Sequence, residues 1–451
     1  MMKKLLIFVS LIIASSTWPL FAQQKVWTLE ECVRHAIENN IQIKQQVIQT
    51  EVRKNSLELA KLKLLPTING SASHDYSFGR ALDQNTYQFY NQTLMSDYFY
   101  LGGSTPVFTG LQNYNSIQKN KYDVLASQED LKYISDNVSL NVALAYLQVL
   151  LNRELVAASE SQLSITKQQI EKTRKLVDAG SVAKGNLLQI EAQAAQEELS
   201  LINMQNQVET SYLNLTQLLE IKTPAGFEID APKINVDPNS VMEGSIDEIY
   251  QIAEKNRPEI KSSEMKLTSS MYGLKIAKGS RSPRFAINHS VNTRYTNISG
   301  VPNQEAFKDQ FTNNRNSGVG LQMSIPILNG WQVNKSISNS KLDVESSKYE
   351  LEATKKQLYK SIQQAYTDAA AAIKKYNSSL KAVASTEESF RYTEQKFNVG
   401  MVTSVDYNVA KTQLIRSQSD MSQAKYEYVF KTKVLDFYKG IPLNLDEIIK
   451  K

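Results

Sequence analysis

Residues 111–179 contain neither Pro nor Gly, and the same is true of residues 331–399. A helix of about 70 residues is roughly 100 Å long at 1.5 Å per residue, and nothing in either stretch breaks one. Apolar residues recur at three- and four-residue steps (Leu131, Ile134, Val138, Val142, Ala145, Val149) with Gln, Lys and Glu between them. That is the period of an amphipathic helix. Each stretch ends at a short break, Asp178-Ala179-Gly180-Ser181 and Asn398-Val399-Gly400-Met401, before a return helix over about 185–220 and 403–438. Gly at the turn accepts φ > 0, and a Ser or Thr after it can cap the next helix.

The two stretches belong to an internal repeat. Thr28-Leu29-Glu30-Glu31-Cys32 through Ala36, Asn39 and Ile43-Lys44 recurs as Ser245-Ile246-Asp247-Glu248-Ile249 through Ala253, Asn256 and Ile260-Lys261, at an offset of 217 residues. Pro106-Val107-Phe108-Thr109-Gly110 recurs as Pro326-Ile327-Leu328-Asn329-Gly330 at an offset of 220, and Ala145-Tyr146 meets Ala365-Tyr366 at the same offset. Each copy opens with a capping-box pattern, Thr28 with Glu31 and Ser245 with Glu248. The following helix stops before Pro66 in one copy and Pro283 in the other. The expected division is a first repeat over 23–221 and a second over 245–440. They carry strand hairpins at about 66–108 and 283–326, and helical hairpins at about 111–220 and 331–439. A connector over 222–244 holds Pro224, Gly226, Pro232 and Pro238, with a short strand at Phe227-Glu228-Ile229. A tail, 441–451, closes the chain.

The segments after Pro66 and Pro283 alternate with period 2. Ile68, Gly70, Ala72, His74, Tyr76 and Phe78 share one face, and Thr67, Asn69, Ser71, Ser73, Asp75 and Ser77 the other. Phe285, Ile287, His289, Val291 and Tyr295 oppose Arg284, Asn288, Ser290, Asn292 and Arg294. Val319, Leu321, Met323 and Ile325 oppose Gly318, Gly320, Gln322 and Ser324. Alternation over ten or more residues is long for a globular strand, where about 5–6 is usual. It suits an outer-membrane strand, apolar toward lipid and polar toward a lumen. A half-buried soluble sheet gives the same alternation. Tyr76, Phe78, Tyr87, Phe89, Tyr90, Tyr98, Phe99 and Tyr100 cluster as an interfacial aromatic girdle would. Residues 79–95 and 299–314, without periodicity, are expected to be exposed loops.

Composition points to long helices, in a chain too apolar to be disordered and too polar for a bundle of membrane helices. Of 451 residues 41% are hydrophobic and 22% charged, with 11 Pro and 17 Gly. Lys3 and Lys4 precede an apolar run over 5–14, and Pro19-Leu20-Phe21-Ala22 ends in a small residue. That reads as a signal peptide over 1–22, cleaved before Gln23. Cys32 lies in Leu29-Glu30-Glu31-Cys32, which is no lipid-attachment context, so no lipid anchor is expected. Cleavage takes the net charge from +5 to +3, with the charges mixed, which is no nucleic-acid footprint. One Cys rules out an intrachain disulfide. His35, His74 and His289 have no metal-ligand spacing, and Gly318-Val319-Gly320 lacks the third Gly of a dinucleotide loop. No metal, cofactor or catalytic residue is expected, and the chain reads as no enzyme.

Four strands cannot close a membrane barrel, since the smallest single-chain barrels use about 8. Open edges cannot face lipid. The barrel must therefore be shared between copies, with 8 strands in a dimer or 12 in a trimer, and the pattern does not choose.

The chain resembles the TolC-like outer-membrane efflux family. The resemblance rests on the duplicated Thr28-Leu29-Glu30 … Ala36 … Asn39-Asn40 helix, on Pro66 and Pro283, and on Pro106–Gly110 and Pro326–Gly330. It rests also on Phe397-Asn398-Val399-Gly400-Met401-Val402-Thr403-Ser404-Val405-Asp406. It implies a mainly α fold with a transmembrane β-barrel part. Long α-helical hairpins form a periplasmic α-barrel, and four β-strands per chain build a 12-stranded barrel in a homotrimer. It implies an outer-membrane exit duct reaching into the periplasm of a Gram-negative-type cell, joined through a periplasmic adaptor protein to an inner-membrane pump of RND or ABC type. Outer-membrane lipid is a partner and nucleic acid is not. The alternatives are the periplasmic adaptor itself, or a soluble structural coiled coil.

In the resembling family the helix turns form the periplasmic tip. Gly180, Ser181, Lys184, Gly400, Thr403 and Ser404 are accordingly the adaptor-docking candidates. Asp406 is the gate candidate: one carboxylate per chain in a trimer makes an anionic ring that favours cations. The bland reading of Asp406 is a first-turn acid stabilised by the helix dipole. Val409 stands where a second Asp is found in the fullest family pattern, and Asn186 is the first-copy counterpart of Asp406, so weak cation selectivity is expected. Asp75, Arg284 and Arg294 are the lumen candidates.

Overall fold

The structure, a computed structural model, describes residues 25–82, 87–232, 234, 236–237, 244–301 and 303–441. The expected signal peptide, part of the connector and all but the first residue of the expected tail lie outside them. In chain order the elements are β1 (Val26–Trp27), α1 (Leu29–Asn39), α2 (Ile41–Leu62), β2 (Thr67–Leu82), β3 (Phe89–Phe108), α3 (Gln112–Asp178), α4 (Lys184–Leu218) and β4 (Glu228–Ile229). The second half holds α5 (Ile246–Asn256), α6 (Pro258–Gly279), β5 (Arg284–Ile298), α7 (Phe307–Asn313), β6 (Asn316–Ser324), α8 (Gln332–Asn398) and α9 (Ser404–Lys439). The chain forms two compact units whose division falls inside α2, α3 and α8 and at the junction of α5 and α6.

In the unit that includes 131–257 and 356–441, helix starts are fixed by side chains. Thr28 Oγ1 accepts from Glu31 N at 3.3 Å, and Thr28 N donates to Glu31 Oε2 at 3.1 Å. Ser245 and Glu248 repeat the exchange at 3.3 and 2.7 Å. Each box satisfies donors that a helix N-terminus leaves open. The core is built around Tyr146, 1% exposed, with Leu29, Cys32, Val142, Val149, Leu215 and Val429. The Tyr146 hydroxyl donates to Asp230 O at 2.7 Å. Strand β4 lies where a strand was expected, and pairs in parallel with β1. Opposite, buried Arg257 stacks on Phe437 at 4.2 Å and bridges to Asp136 at 3.4 Å.

In the other unit a four-stranded antiparallel sheet has the order β2-β3-β5-β6. Directly paired residues share a face, so the register sorts the side chains. Ser73, Tyr98 and Arg294 are in line, as are Ser71, Tyr100 and Asn292, on a polar face. Ile68, Gly103, His289 and Val319 are in line on an apolar one. Tyr98 and Tyr100 therefore do not share a face with Tyr76 and Phe78, because they stand at the opposite parity, and the expected girdle divides between the two faces. The expected loop over 79–95 is also corrected. The ladder continues through Gly79↔Gln92 to Leu82↔Phe89, which makes most of that segment strand. Backbone pairing needs no apolar alternation, so polar residues carry the strands onward. The segment 299–314 is corrected likewise, since it contains α7.

Beyond Asn316 the edge of β5 has no strand beside it. Side-chain amides take the place of one. Gln310 accepts from Thr296 N and donates to Thr296 O, both at 2.9 Å. Gln304 does the same for Ile298 at 2.7 and 2.6 Å. Asn314 donates to Arg294 O at 2.8 Å. Three primary amides thus mimic the missing peptide groups and seal the edge against other strands.

Strands pass into the long helices through two consecutive left-handed residues in each half, Gly110 and Leu111 (φ 64° and 61°) and Gly330 and Trp331 (57° and 63°). A Cβ at Gly110 would lie 2.4 Å from the Gly279 carbonyl oxygen, whereas one at Gly330 would meet nothing within 4 Å. Gly110→Ala should therefore add a steric clash to the roughly 1–3 kcal/mol of left-handed strain, and Gly330→Ala the strain alone. The thermal midpoint should fall further for the first variant; equal losses would remove the close-approach argument.

Candidate functional site

The two helix turns carry most of the expected site residues. Both close in the same way. At the first, Gly180 (φ 70°) donates to Val177 O and Ser181 N to Leu176 O, both at 2.9 Å. At the second, Gly400 (φ 78°) donates to Phe397 O at 3.0 Å and Met401 N to Lys396 O at 2.9 Å. This paired pattern satisfies the last carbonyls of the incoming helix and needs the left-handed residue that Gly supplies.

The outgoing helices differ. Helix α9 starts with a full capping box. Thr403 Oγ1 accepts from Asp406 N at 3.2 Å, and Asp406 Oδ2 accepts from Thr403 N at 3.1 Å and from Thr403 Oγ1 at 2.7 Å. These bonds, the hydroxyl one first, hold the Asp406 carboxyl below its ordinary value. Helix α4 starts at Ala183, which makes no side-chain cap bond. Ser181 is thus a turn residue and not a cap, because two residues separate it from the first helical position. Lys184 takes that position, where a cation is unfavourable to the helix dipole. Gly180, Ser181, Lys184, Gly400, Thr403 and Asp406 are all exposed. Val409 is exposed too, at 65%, and Asn186 is half-buried.

Ser404 is different: it is buried, and its Oγ lies 3.2 Å from Gln189 Oε1 and 3.4 Å from Asn186 Oδ1 on α4. Its hydroxyl proton serves one of them. The structure thereby brings Ser404 and Asn186 together as a link between the two helical hairpins. Lys172 Nζ, donating to Asn398 Oδ1 at 2.8 Å, is a second link.

One and two turns further along α9 lie groups that the sequence reading passed over. Tyr407, 4% exposed, stacks on Phe397 with ring centres 4.7 Å apart. Burial, and then Glu394 and Glu197, push its hydroxyl up to about 12. Lys411, 4% exposed, donates to Thr166 Oγ1 on α3, and Thr166 in turn bonds Glu197 Oε2 on α4. Lys411 Nζ stands 3.8 Å from Glu197 Oε1. Burial lowers the Lys411 value and Glu197 opposes that. Thr166 has one proton and two acceptors in reach, Glu197 and Gln162 O, and the charged one is the stronger. A lysine at the buried 404, 407, 411 spacing was the available signal.

The lumen candidates share the polar face of the sheet. Asp75 accepts from Ser73 Oγ at 2.9 Å, Arg294 lies over Tyr98 at 5.8 Å, and Arg284 pairs in register with Ser324. None of the lumen candidates contributes to the helix turns, which belong to the other unit.

An amphipathic sheet joined to paired helical hairpins of this length is the architecture of an outer-membrane channel subunit. Solved structures agree in fold. CusC superposes with a TM-score of 0.79 at 16% identity, covering 92% of each chain. The outer-membrane protein VceC of Vibrio cholerae gives 0.76 at 14% identity, over 92% of this chain and 97% of that one. The CmeC outer-membrane channel of Campylobacter jejuni gives 0.77 at 17%, over 94% and 89%. The outer membrane efflux protein BepC of Brucella suis biovar 1 (strain 1330) is 22% identical over 323 residues, which is 70% of this chain and 63% of that protein's length. The profile of the outer membrane efflux protein family matches residues 32–220 and 249–437. With both halves matched, the chain belongs to the outer membrane efflux protein family.

Lys411→Met should lower the thermal midpoint markedly, since removing one member of a buried pair costs about 3–5 kcal/mol. Adding Glu197→Gln should recover most of the loss. The coupling is refuted if the double variant melts no higher than the single one.

Proposed function

We propose that the chain is the exit duct of an efflux or secretion system: it conducts solutes from the periplasm across the outer membrane. The observation that carries the reading is the sheet, apolar on one face and polar on the other along four registered strands, with β2 and β6 as its open edges. In lipid those edges must be paired, and the partner that fits is a second copy. Three copies give 12 strands, as in the resembling family, with Asp75, Arg284 and Arg294 toward the lumen. The exposed turns at Gly180 and Gly400 are the docking tip for a periplasmic adaptor, and an inner-membrane pump of RND or ABC type supplies the cargo. The helices lie on the periplasmic side, so the β2–β3 and β5–β6 connections face outward.

The shared barrel is tested by cross-linking. Within one chain β2 and β6 are separated by two strands, about 14 Å at ~4.8 Å per step, too far for a disulfide. The only native cysteine, Cys32, is buried. Cysteine pairs placed one on β2 and one on β6 should therefore cross-link only between copies, giving a ladder that ends at three chains. A ladder ending at two would replace the trimer by an eight-stranded dimer.

The Asp406 ring is tested by current across a planar bilayer. The carboxyl is held below its ordinary value of about 3.9. Its charge and its bonds to Thr403 are present above that value and are lost as pH falls through the lowered one. Mild cation preference should persist at pH 5 and fade only below about 3.9. Asp406→Asn should abolish it at neutral pH, and unchanged selectivity in that variant rejects the ring while leaving the duct in place.

A further inference from the structure

The apolar face of the sheet carries a groove that neither the duct nor its tip requires. It encloses about 590 Å³ and is lined by Gly70, Ala72, Leu101, Val291, Phe311 and Arg315, among others. It continues past Leu101 and Val291 toward Ile68 and Val319 as a second hollow of about 260 Å³. Its floor is low because Gly70 and Ala72 stand where the neighbouring positions of that face carry Ile68, Tyr76 and Phe78. The backbone does not demand glycine at position 70. A Cβ there would rest in ordinary contact, 3.7 Å from Leu101 Cδ1, and Gly70 is not among the residues with positive φ.

One wall is Phe311 of α7, and α7 is held in place by the Gln304, Gln310 and Asn314 amides on the β5 edge and by Thr293 Oγ1, which donates to Phe311 O at 2.8 Å. Phe99 packs edge-on against Phe311 at 5.5 Å and closes the wall from below. Arg315 follows directly. It stands one residue before β6, where the register continues to Thr293 on the apolar face. Among the described residues its guanidinium has no hydrogen-bond or ion-pair partner. The acid nearby on that face, Asp97, is engaged by His74. Among the described residues a cation thus stands unpaired at one end of an apolar groove.

From Phe285 to Tyr295 the apolar band runs about 33 Å along the strand at ~3.3 Å per residue, or roughly 25 Å once a strand tilt near 40° is allowed for. That matches the height of a membrane-facing band, and Arg315, level with Thr293, lies about 5 Å inside its outer end on the side of the β5–β6 connection, within reach of the headgroups. Unpaired cations at that depth meet lipid phosphate.

We infer that this groove is a lipid site that takes an acyl chain of a phosphate-bearing glycolipid of the outer leaflet, with its phosphate on Arg315. The inference rests on the proposed reading that the apolar face meets lipid and the strand connections face outward. Phe311 and Leu101 flank the chain, and the missing side chain at Gly70 makes room for it. The lipid also braces α7 against the sheet, so the amide seal on β5 and the lipid hold the same element.

The test uses the full-length protein in detergent, exchanged with bisphosphorylated lipid A, phosphatidylglycerol or phosphatidylethanolamine, and reads bound lipid by native mass spectrometry. The native chain should retain lipid A in preference to both others. Arg315→Gln should cut that preference by about fivefold, the factor that one cation at an anionic lipid surface supplies. Gly70→Leu, and independently Ala72→Leu, should remove retention of lipid A by filling the floor. A fluorophore on Val319→Cys, at a position 81% exposed, tests the underlying reading through quenching by brominated acyl chains. Quenching together with equal lipid A retention in all four proteins overturns the lipid site alone. Tighter retention of phosphatidylglycerol than of lipid A overturns the outer-leaflet assignment. Absence of quenching overturns the lipid-facing reading and the site with it.

Discussion

A four-stranded sheet leaves two rows of backbone N–H and C=O groups with no partner inside the chain, and a bilayer offers no water to bond them. Much of the architecture can be understood from how those rows are met. On β5, beyond the end of β6, they are met internally: Gln304, Gln310 and Asn314 present amides that copy the donor and acceptor spacing of a peptide. On β2 and β6 no described side chain does the same along the strand. The contrast is informative. Where no strand should add, the chain spends three polar side chains on closing the edge, and where it leaves the edge open the described side chains do not cover it. Edge strands kept in that form are a template for pairing with another strand, which is what the proposed duct requires of them.

How far the sequence carried the reader depended on whether a feature was local. The capping boxes at Thr28 and Ser245 were legible because their partners lie three residues away and the bond geometry follows from the helix itself. The unbroken helices over Gln112–Asp178 and Gln332–Asn398 were legible because Pro and Gly are the residues that break helices. The full extent of β2 and β3 was not. Past Phe78 the apolar-polar alternation lapses, with Gly79, Arg80 and Ala81 paired with Gln92, Asn91 and Tyr90, and the inter-strand ladder, a long-range property, keeps those residues extended. Helix α7 was hidden for a related reason, since its seven residues owe their place to amide bonds onto β5 that no periodicity announces.

The helix turns show the same division. The glycines at 180 and 400 were readable as left-handed turn residues, and the Thr403–Asp406 box follows from the same spacing rule that marks Thr28 and Ser245. The Ser404 link to α4 and the Lys411–Thr166–Glu197 cluster join residues more than 200 positions apart or on three different helices. A lysine and a serine on the buried stripe of α9 break the apolar pattern, and such breaks were the one trace these contacts left in the sequence. A buried ion pair of this kind contributes little net stability against an apolar replacement of both partners. What it does supply is register: Lys411 reaches Glu197 directly and through Thr166, and sliding α9 by a turn separates the buried ammonium from both.

That penalty bears on how a tip built from these helices can move. Apolar seams between long helices slide at small cost, because one leucine contact substitutes for another. Polar anchors do not, because each displaced group loses a specific partner while still buried. Ser404 with Asn186 and Gln189, Lys172 with Asn398, and Lys411 with Thr166 and Glu197 form three such anchors between the two hairpins of one chain. The first two sit at or beside the turns; the Lys172–Asn398 bond is exposed and water can replace it, whereas the Ser404 link is neutral and buried. The third lies about two turns further along α9, is charged and buried, and water cannot easily replace it. The seam at Lys411 is therefore the one most strongly held in register of the three.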